Sequence, residues 1–409
     1  MTSTLPLRGV RRWGGGPSRS APSWRQLDWI LLGVVAALIA IGALLVWSAT
    51  LHREDLTGGD SDAYLHKQLI NAGIGVVLAA LVAATDSRWL RLWAPVVYLA
   101  SVLGLLLVFV PGVGATINGS HSWLLVGGLS LQPAEMAKFG VVLGMAFVLA
   151  ERSEAHLRAG VNSVDVLPAL VIAGVPALLI LVQPDLGTLM VLTATVFGVV
   201  GLSGAPKRWL LGLAAAGVAV VVLAVRSGVL AAYQLDRFGA FTNPALDPLG
   251  AGYNTQQARI AIGNGAITGQ GLFSGTQTQA GFVPEQHTDF VFTVAGEELG
   301  LIGAALVVGL FAVLLWRALS IAREAGDLFG RVAAAGIACW FGFQAFQNIG
   351  MCLGIMPVTG VPLPMVSYGG TSMFASLSAV GLLLNIHLRT QARAGHGVVV
   401  HSRVARSRF

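Results

Sequence analysis

Ten apolar stretches constrain this chain more than any other feature: about 28–49, 67–86, 91–110, 133–151, 165–182, 186–203, 208–227, 290–316, 331–354 and 366–388. Each approaches the roughly 20 residues a helix needs to cross a bilayer. Lipid offers the backbone no hydrogen-bond partner, so such segments span as helices. Only 11% of the 409 residues are charged, against 55% apolar, where a soluble domain carries about a quarter charged. The expected fold is an all-α polytopic membrane protein with ten transmembrane helices and a large extracytoplasmic loop between helices seven and eight.

The placement of the charges gives the orientation. Arg8, Arg11, Arg12, Arg19 and Arg25 precede the first span. Arg88 and Arg91, Arg152 and Arg158, Lys207 and Arg208, then Arg317, Arg323 and Arg331 mark later loops on that side, and Arg389, Arg393, Arg403, Arg406 and Arg408 follow the last span. The other side holds only Arg53, Lys67, Arg226, Arg237 and Arg259. By the positive-inside rule both termini are cytoplasmic. The formal charge of +6 is thus a topology signal, and nucleic acid is excluded as a partner. The expected organisation is a disordered basic tail over 1–26, an uncleaved signal anchor opening a membrane domain over 27–392, and a basic tail over 393–409. Cys339 and Cys352, the two cysteines, fall in one span and read as buried small residues.

One long polar segment interrupts this apolar chain. It occupies about 228–289, on the outer side. Leu230–Phe241 can form a short interfacial helix, Asn243-Pro244 and Asp247-Pro248 are turn signals, and Gln256–Ile262 reads as a second short helix. Gly263, Gly265, Gly269, Gly271 and Gly275 then make a loop whose backbone can approach a ligand closely. The segment closes with Gly275-Thr276-Gln277-Thr278-Gln279 and Val283-Pro284-Glu285-Gln286-His287-Thr288-Asp289.

Ionisable groups inside spans are expensive and by default mark function. Glu135 and Lys138 open the fourth span at i,i+3, on one helix face. They can be a self-neutralising pair, or they can line a polar cavity opening outward with Lys138 offered to a carboxylate or phosphate. Asp289, at the outer mouth of the eighth span, can cap that helix or act chemically with Glu285 and His287 beside it. Glu297 and Glu298 lie about two turns further in, and adjacent acids point in different directions, one toward a cavity and one toward a partner helix. Asp185, in Gln183-Pro184-Asp185-Leu186-Gly187-Thr188, is expected to cap the sixth helix. Met356–Pro364 and Ser367–Ser372 form a proline-stiffened loop suited to burial or to lining a lipid groove. No Walker sequence or nucleotide-binding glycine motif is found, so energy must come from the substrate or an ion gradient.

Six segments occur in order across the ten helices: Gly119-Ser120-His121-Ser122-Trp123, Leu131-Gln132-Pro133-Ala134-Glu135, Gln183–Thr188, Asp247–Tyr253, Pro284–Phe290 and Pro364–Gly370. Together they resemble the SEDS family (shape, elongation, division and sporulation), which includes RodA and FtsW, over about 27–392. The 275–279 run followed by Phe282 and 284–287 looks more like the RodA branch than the FtsW branch. Ala134 stands where the family often has Ser, and the motif before Trp123 lacks a pair of arginines found in many members, so diphosphate binding is not assigned there.

The resemblance implies a peptidoglycan glycosyltransferase that polymerises lipid II outside the membrane with a class B penicillin-binding protein as partner. It matches Asp289 to the family's essential aspartate, and Glu135 and Lys138 to its functional Glu and Lys. Asp289 is then the expected general base on the acceptor hydroxyl. Lys138, partnered by Glu135, would orient it or neutralise diphosphate charge. Arg237, Arg259 or a divalent cation (Mg or Mn) would add positive charge. Arg259, Arg237, Gln279, Glu285, His287 and Ser367 are the expected substrate-binding residues. The alternatives are a flippase for lipid-linked precursor, a division-type polymerase, and a scaffold for a partner synthase.

Overall fold

The structure, a computed structural model, describes residues 26–117, 120–126, 129–155, 161–227 and 250–406. The helices are α1 (Trp29–Thr50), α2 (Glu54–Thr57), α3 (Ala63–Ala84), α4 (Ser87–Leu107), α5 (Pro133–Ala155), α6 (Ser163–Val182), α7 (Leu186–Leu202) and α8 (Lys207–Ser227), then α9 (Ala251–Asn264), α10 (Thr276–Gln279), α11 (Val291–Glu298), α12 (Gly300–Glu324), α13 (Leu328–Leu353) and α14 (Gly370–Arg406). A helix stands over every one of the ten expected segments. Among the described residues eight are long and apolar enough to cross a membrane: α1, α3, α4, α5, α6, α12, α13 and α14, the last over its first 24 residues. α7 is apolar but has 17 residues. The last helix continues into the segment expected as a tail.

Burial divides the bundle. α5, α13 and α14 are buried along most of their length, whereas α3 and α4 turn most of theirs outward. Lipid is as apolar as these outward side chains, so close packing rather than hydrophobicity selects the central helices. α5 shows how. A Cβ on Gly140 would lie 2.5 Å from Ser101 Oγ, and one on Gly144 would lie 2.9 Å from Ile172 Cγ2 and 3.2 Å from Tyr98 Cδ2. This GxxxG pair lets α5 sit tight against α4 and α6.

Helix starts follow their capping chemistry. Asp28 Oδ1 accepts from the Leu31 amide at 3.1 Å, Asp327 Oδ1 from Gly330 at 2.8 Å, and Asp185 Oδ1 from Thr188 at 3.0 Å. The last is the cap expected of Asp185. Pro133 occupies the first position of α5, where its missing N–H costs nothing.

The loop between α4 and α5 forms a small antiparallel sheet, β1 (Gly114–Ile117), β2 (Ser120–Val126) and β3 (Leu129–Leu131), in that order. Its strands are too short for a period-2 pattern to stand out in sequence. One expectation needs correction. The eighth segment is not one helix starting near 290. It breaks at Leu299 into the buried α11 and the long α12. Gly300 takes the left-handed conformation at the break, φ 66°. The polar segment supplies the hydrogen bonds the break leaves unmade. Gln270 and Gly271 amides donate to the Glu297 and Glu298 carbonyls at 3.0 Å, and Leu301 and Ile302 amides donate to the Ala266 and Ile267 carbonyls.

Candidate active site

Asp289 stands at the end of a tight turn. Glu285, in the left-handed region at φ 49°, turns its carbonyl so that the amides of Thr288, Asp289 and Phe290 all donate to it, at 3.2, 3.0 and 3.3 Å. A non-glycine residue at positive φ costs about 1 kcal/mol or more, and strain of this kind collects at functional turns. Phe290, not Asp289, occupies the N-cap of α11.

The loop between α13 and α14 forms the facing wall. Gly360 is left-handed at φ 69°, and a Cβ there would lie 3.2 Å from Asp289 Oδ2. Glycine is required at this position on both counts. The start of α7 presses on the same wall: a Cβ on Gly187 would meet the Thr359 carbonyl and Val361 Cγ2 at 2.5 Å. Asp185 joins through Gln132, whose Nε2 donates to Asp185 Oδ2 at 3.0 Å. Burial pushes the Asp185 carboxyl above its ordinary value, and the charge of Glu135 adds to the push.

Glu135 and Lys138 are a closed pair, not the lining of an open cavity. Lys138 Nζ donates to Glu135 Oε1 and to Gln344 Oε1, both at 2.7 Å, and lies 5.4 Å from the centroid of the Trp340 ring. The Glu135 and Lys138 side chains are 2% and 0% exposed. Gln344 Oε1 also accepts from Trp340 Nε1 at 2.6 Å, while its Nε2 donates to the Pro362 carbonyl at 2.8 Å. One turn on, Asn348 Nδ2 donates to the carbonyls of Asp289 and Val361 at 2.7 and 2.8 Å. Between them Gln347 Nε2 donates to Thr359 Oγ1 at 2.7 Å. α13 is therefore the element that ties Lys138 and Asp289 into one assembly. The sequence carried a signal for it: three amides at i, i+3 and i+4 in an apolar span, each of them costly there without partners.

Glu298 reaches a partner helix, as expected of one of the two acids, through Ser48 of α1, and Glu297 turns to a loop rather than to a cavity. Both grip the glycine-rich loop. Glu297 accepts from the amides of Gln277 and Thr278 at 2.7 and 2.9 Å and from Thr278 Oγ1 at 2.7 Å. Glu298 accepts from Ser48 Oγ at 2.6 Å and from the amides of Phe273 and Gly275. Gln286 Nε2 links Thr278 Oγ1 and Thr293 Oγ1, at 3.0 and 3.1 Å, so the grip reaches the Asp289 turn.

The residues expected to bind substrate divide into three groups. Gln279 and Ser367 are hydrogen-bonded to other parts of the protein. Gln279 Nε2 donates to Ser48 and Glu298 while its Oε1 meets His52. Ser367 Oγ accepts from the Leu363 amide at 2.8 Å and is buried. A side-chain amide and a hydroxyl suit either job in sequence, and only packing separates them. His287 is also buried, its ring 4.9 Å from Tyr64 and 5.8 Å from Tyr368, and its carbonyl accepts from the Tyr368 amide at 2.9 Å. Burial pulls its pKa below the ordinary value, against the attraction of Glu285. Arg259 and Glu285 are exposed. Arg259 packs over Gly354 at the C-terminal end of α13. Arg237, the 230–241 helix and the two Asx-Pro turns lie outside the described residues. No cluster of three or more His, Cys, Asp or Glu side chains able to hold a metal occurs among the described residues.

Comparison with known proteins places the chain in a family. The chain is 37% identical over 361 residues to a probable peptidoglycan glycosyltransferase FtsW of Trichlorobacter lovleyi (88% of this chain, 93% of that one). It is 38% identical to stage V sporulation protein E of Bacillus subtilis (88% and 96%) and 37% identical to the peptidoglycan glycosyltransferase MrdB of Escherichia coli (88% and 94%). These identities rank no branch above another. Among solved structures it resembles the rod shape determining protein RodA of Thermus thermophilus, with TM-score 0.64 and 33% identity over 90% of this chain and 98% of that one. It also resembles a chain of a peptidoglycan synthase complex studied for the coordination of polymerization and crosslinking, with TM-score 0.72 and 34% identity over 90% and 99%. The family model for FtsW, RodA and SpoVE cell cycle proteins matches residues 28–392, and the chain belongs to that family.

Proposed function

We propose that this multi-pass membrane protein is a peptidoglycan glycosyltransferase that polymerises lipid II at the outer face of the bacterial cytoplasmic membrane. The observation that carries the reading is the attachment of Asp289 and Lys138, distant in sequence, to neighbouring turns of α13. Relatives bearing the name peptidoglycan glycosyltransferase support the reaction class.

Lipid II brings its own leaving group, a lipid diphosphate, so no nucleotide site is needed. Asp289 takes the proton of the acceptor sugar hydroxyl as that oxygen attacks the donor's anomeric carbon. The bond to the diphosphate breaks in the same displacement, with inversion and no covalent intermediate. Lys138 supplies buried positive charge facing the developing negative charge, and Glu135 keeps the lysine in place. A divalent cation, Mg or Mn, would come with the diphosphate. Both termini are cytoplasmic on the arginine distribution, and a class B penicillin-binding protein crosslinks the product. The synthase complex among the structural neighbours supports that partner. The RodA-like role in elongation rests on the 275–287 run.

The test is incubation of the purified full chain with labelled lipid II, with and without its penicillin-binding partner. Polymer on a gel, lost in Asp289→Asn, is the expected outcome. Lipid moved between leaflets without polymer would replace the enzyme with a flippase.

A further inference from the structure

Asp289 reaches its place through its backbone, and the backbone is held from both sides. Its amide donates to Glu285 O at 3.0 Å. Its carbonyl accepts from Asn348 Nδ2 at 2.7 Å, and the same NH2 group donates to Val361 O at 2.8 Å. Val361 follows Gly360, the residue that faces Asp289 Oδ2. One NH2 group thus bridges the turn that carries the carboxylate and the wall opposite it. Asn348 is fully buried, and its Oδ1 has no hydrogen-bond partner among the described residues. Both of its contacts are therefore donations, and both converge on this gap. Gln344, one turn earlier and about 6 Å along the axis, accepts from Lys138 Nζ through its Oε1 and donates to the Pro362 carbonyl through its Nε2.

We propose that Asn348 is a positioning residue for glycosyl transfer, setting the gap between Asp289 and the Gly360 wall in which the acceptor hydroxyl must lie. The inference rests on Asp289 being the base. Displacement of a reacting group by about 1 Å can cost about 10²-fold in rate, and loss of the bridging NH2 frees both walls of the gap together.

A second buried asparagine provides the control. Asn385 Nδ2 donates to the carbonyls of Val82, Ala83 and Thr85, at 3.1, 2.9 and 2.6 Å. It bridges α14 to the end of α3 and touches none of the residues above. The experiment measures kcat and KM for lipid II polymerisation, the pH–rate profile and Tm of the full chain with its partner. The variants are Asn348→Ala, Asn348→Ser, Asn385→Ala and Asp289→Asn. Asn348→Ala is expected to lower kcat by about 10²-fold at little-changed KM. Its residual rate should keep the pH dependence that Asp289→Asn loses. Asn348→Ser, which keeps one donor, should fall between Asn348→Ala and the wild type, and it carries the test if the alanine variant does not fold. Asn385→Ala should lower Tm while leaving kcat within about threefold, as expected of an independent site. Wild-type kcat in the Asn348 variants beside an inactive Asp289→Asn overturns the proposal, as does a kcat loss that tracks Tm in both asparagine variants. Full activity in Asp289→Asn instead overturns the assignment of the base.

Discussion

Two sets of ion pairs in this chain use the same chemistry in different surroundings. Glu135–Lys138 is 2% and 0% exposed and shares one amide oxygen with a tryptophan N–H. At the other end of α5, Arg91 pairs with Glu154 at 3.1 Å, and Asp327 joins Arg91 to Arg393 at 3.7 and 3.2 Å, with Glu154 and Arg393 53% and 54% exposed. Water and salt screen the second set, and exposed pairs of this kind contribute about 0–1 kcal/mol. The first is unscreened, and a buried pair is no net gain over a well-packed apolar pair. An expensive pair with an inexpensive substitute available is more informative about function than a solvated one.

Substitutions can break the comparison. The largest effect is expected at Asp289. Asp289→Asn keeps the shape and should lower polymerisation by about 10²–10⁴-fold, the usual range for a general base, with an unchanged melting profile. Next is Lys138→Met, which strands Glu135 and should cost about 3–5 kcal/mol. Adding Glu135→Leu should return most of that stability without returning activity. Recovery of both together would reduce the pair to a structural filler.

Gly360→Ala should cost about 1–2 kcal/mol for its left-handed backbone and slow the reaction further by crowding Asp289. A glycan-synthesis assay beside a thermal melt separates the two effects. His287 gives a pH effect of definite sign. Burial holds its folded pKa below its ordinary value of about 6.5. The unfolded chain therefore takes up a proton first as pH falls. Stability is fully present above about pH 6.5 and declines on acidification toward the folded pKa. His287→Gln should flatten that decline. The smallest effect belongs to the solvated network. Arg91→Ala should cost about 1 kcal/mol or less, and less at high salt. A larger cost would show that the network is not screened and would erase the contrast with Glu135–Lys138.

Some of this was readable from residues alone. All ten apolar segments are helical because length and apolarity leave the backbone no other way to satisfy itself in lipid. The cap at Asp185, Pro133 at the first position of α5, the i,i+3 pairing of Glu135 with Lys138 and the helix over 256–262 follow from local rules that need no partner. The family resemblance over 27–392 agrees with the match over 28–392, because ordered motifs survive where single ones do not. Which groups remain open to a substrate was not readable. Gln279 and Ser367 stand out in sequence as candidate ligands, and only the fold shows their bonds to Ser48, Glu298 and Leu363. Glu297 and Glu298 hold a loop, the eighth segment breaks where that loop supplies its missing hydrogen bonds, and a small sheet joins α4 to α5.

Periodicity, composition and charge placement act within about one turn or one span, so the chain alone determined its helices, their caps and the Glu135–Lys138 pair. The approach of Gly360 to Asp289, of Gly187 to Thr359 and Val361, and of Lys138 to Gln344 depended on the packing of α5, α7 and α13 and of the loop before α14. Asn348 belongs to that second class. Its polarity is visible in the sequence, but its two acceptors, Asp289 O and Val361 O, are brought together by tertiary structure, because a hydrogen bond between distant segments exists only when packing has placed both of its ends.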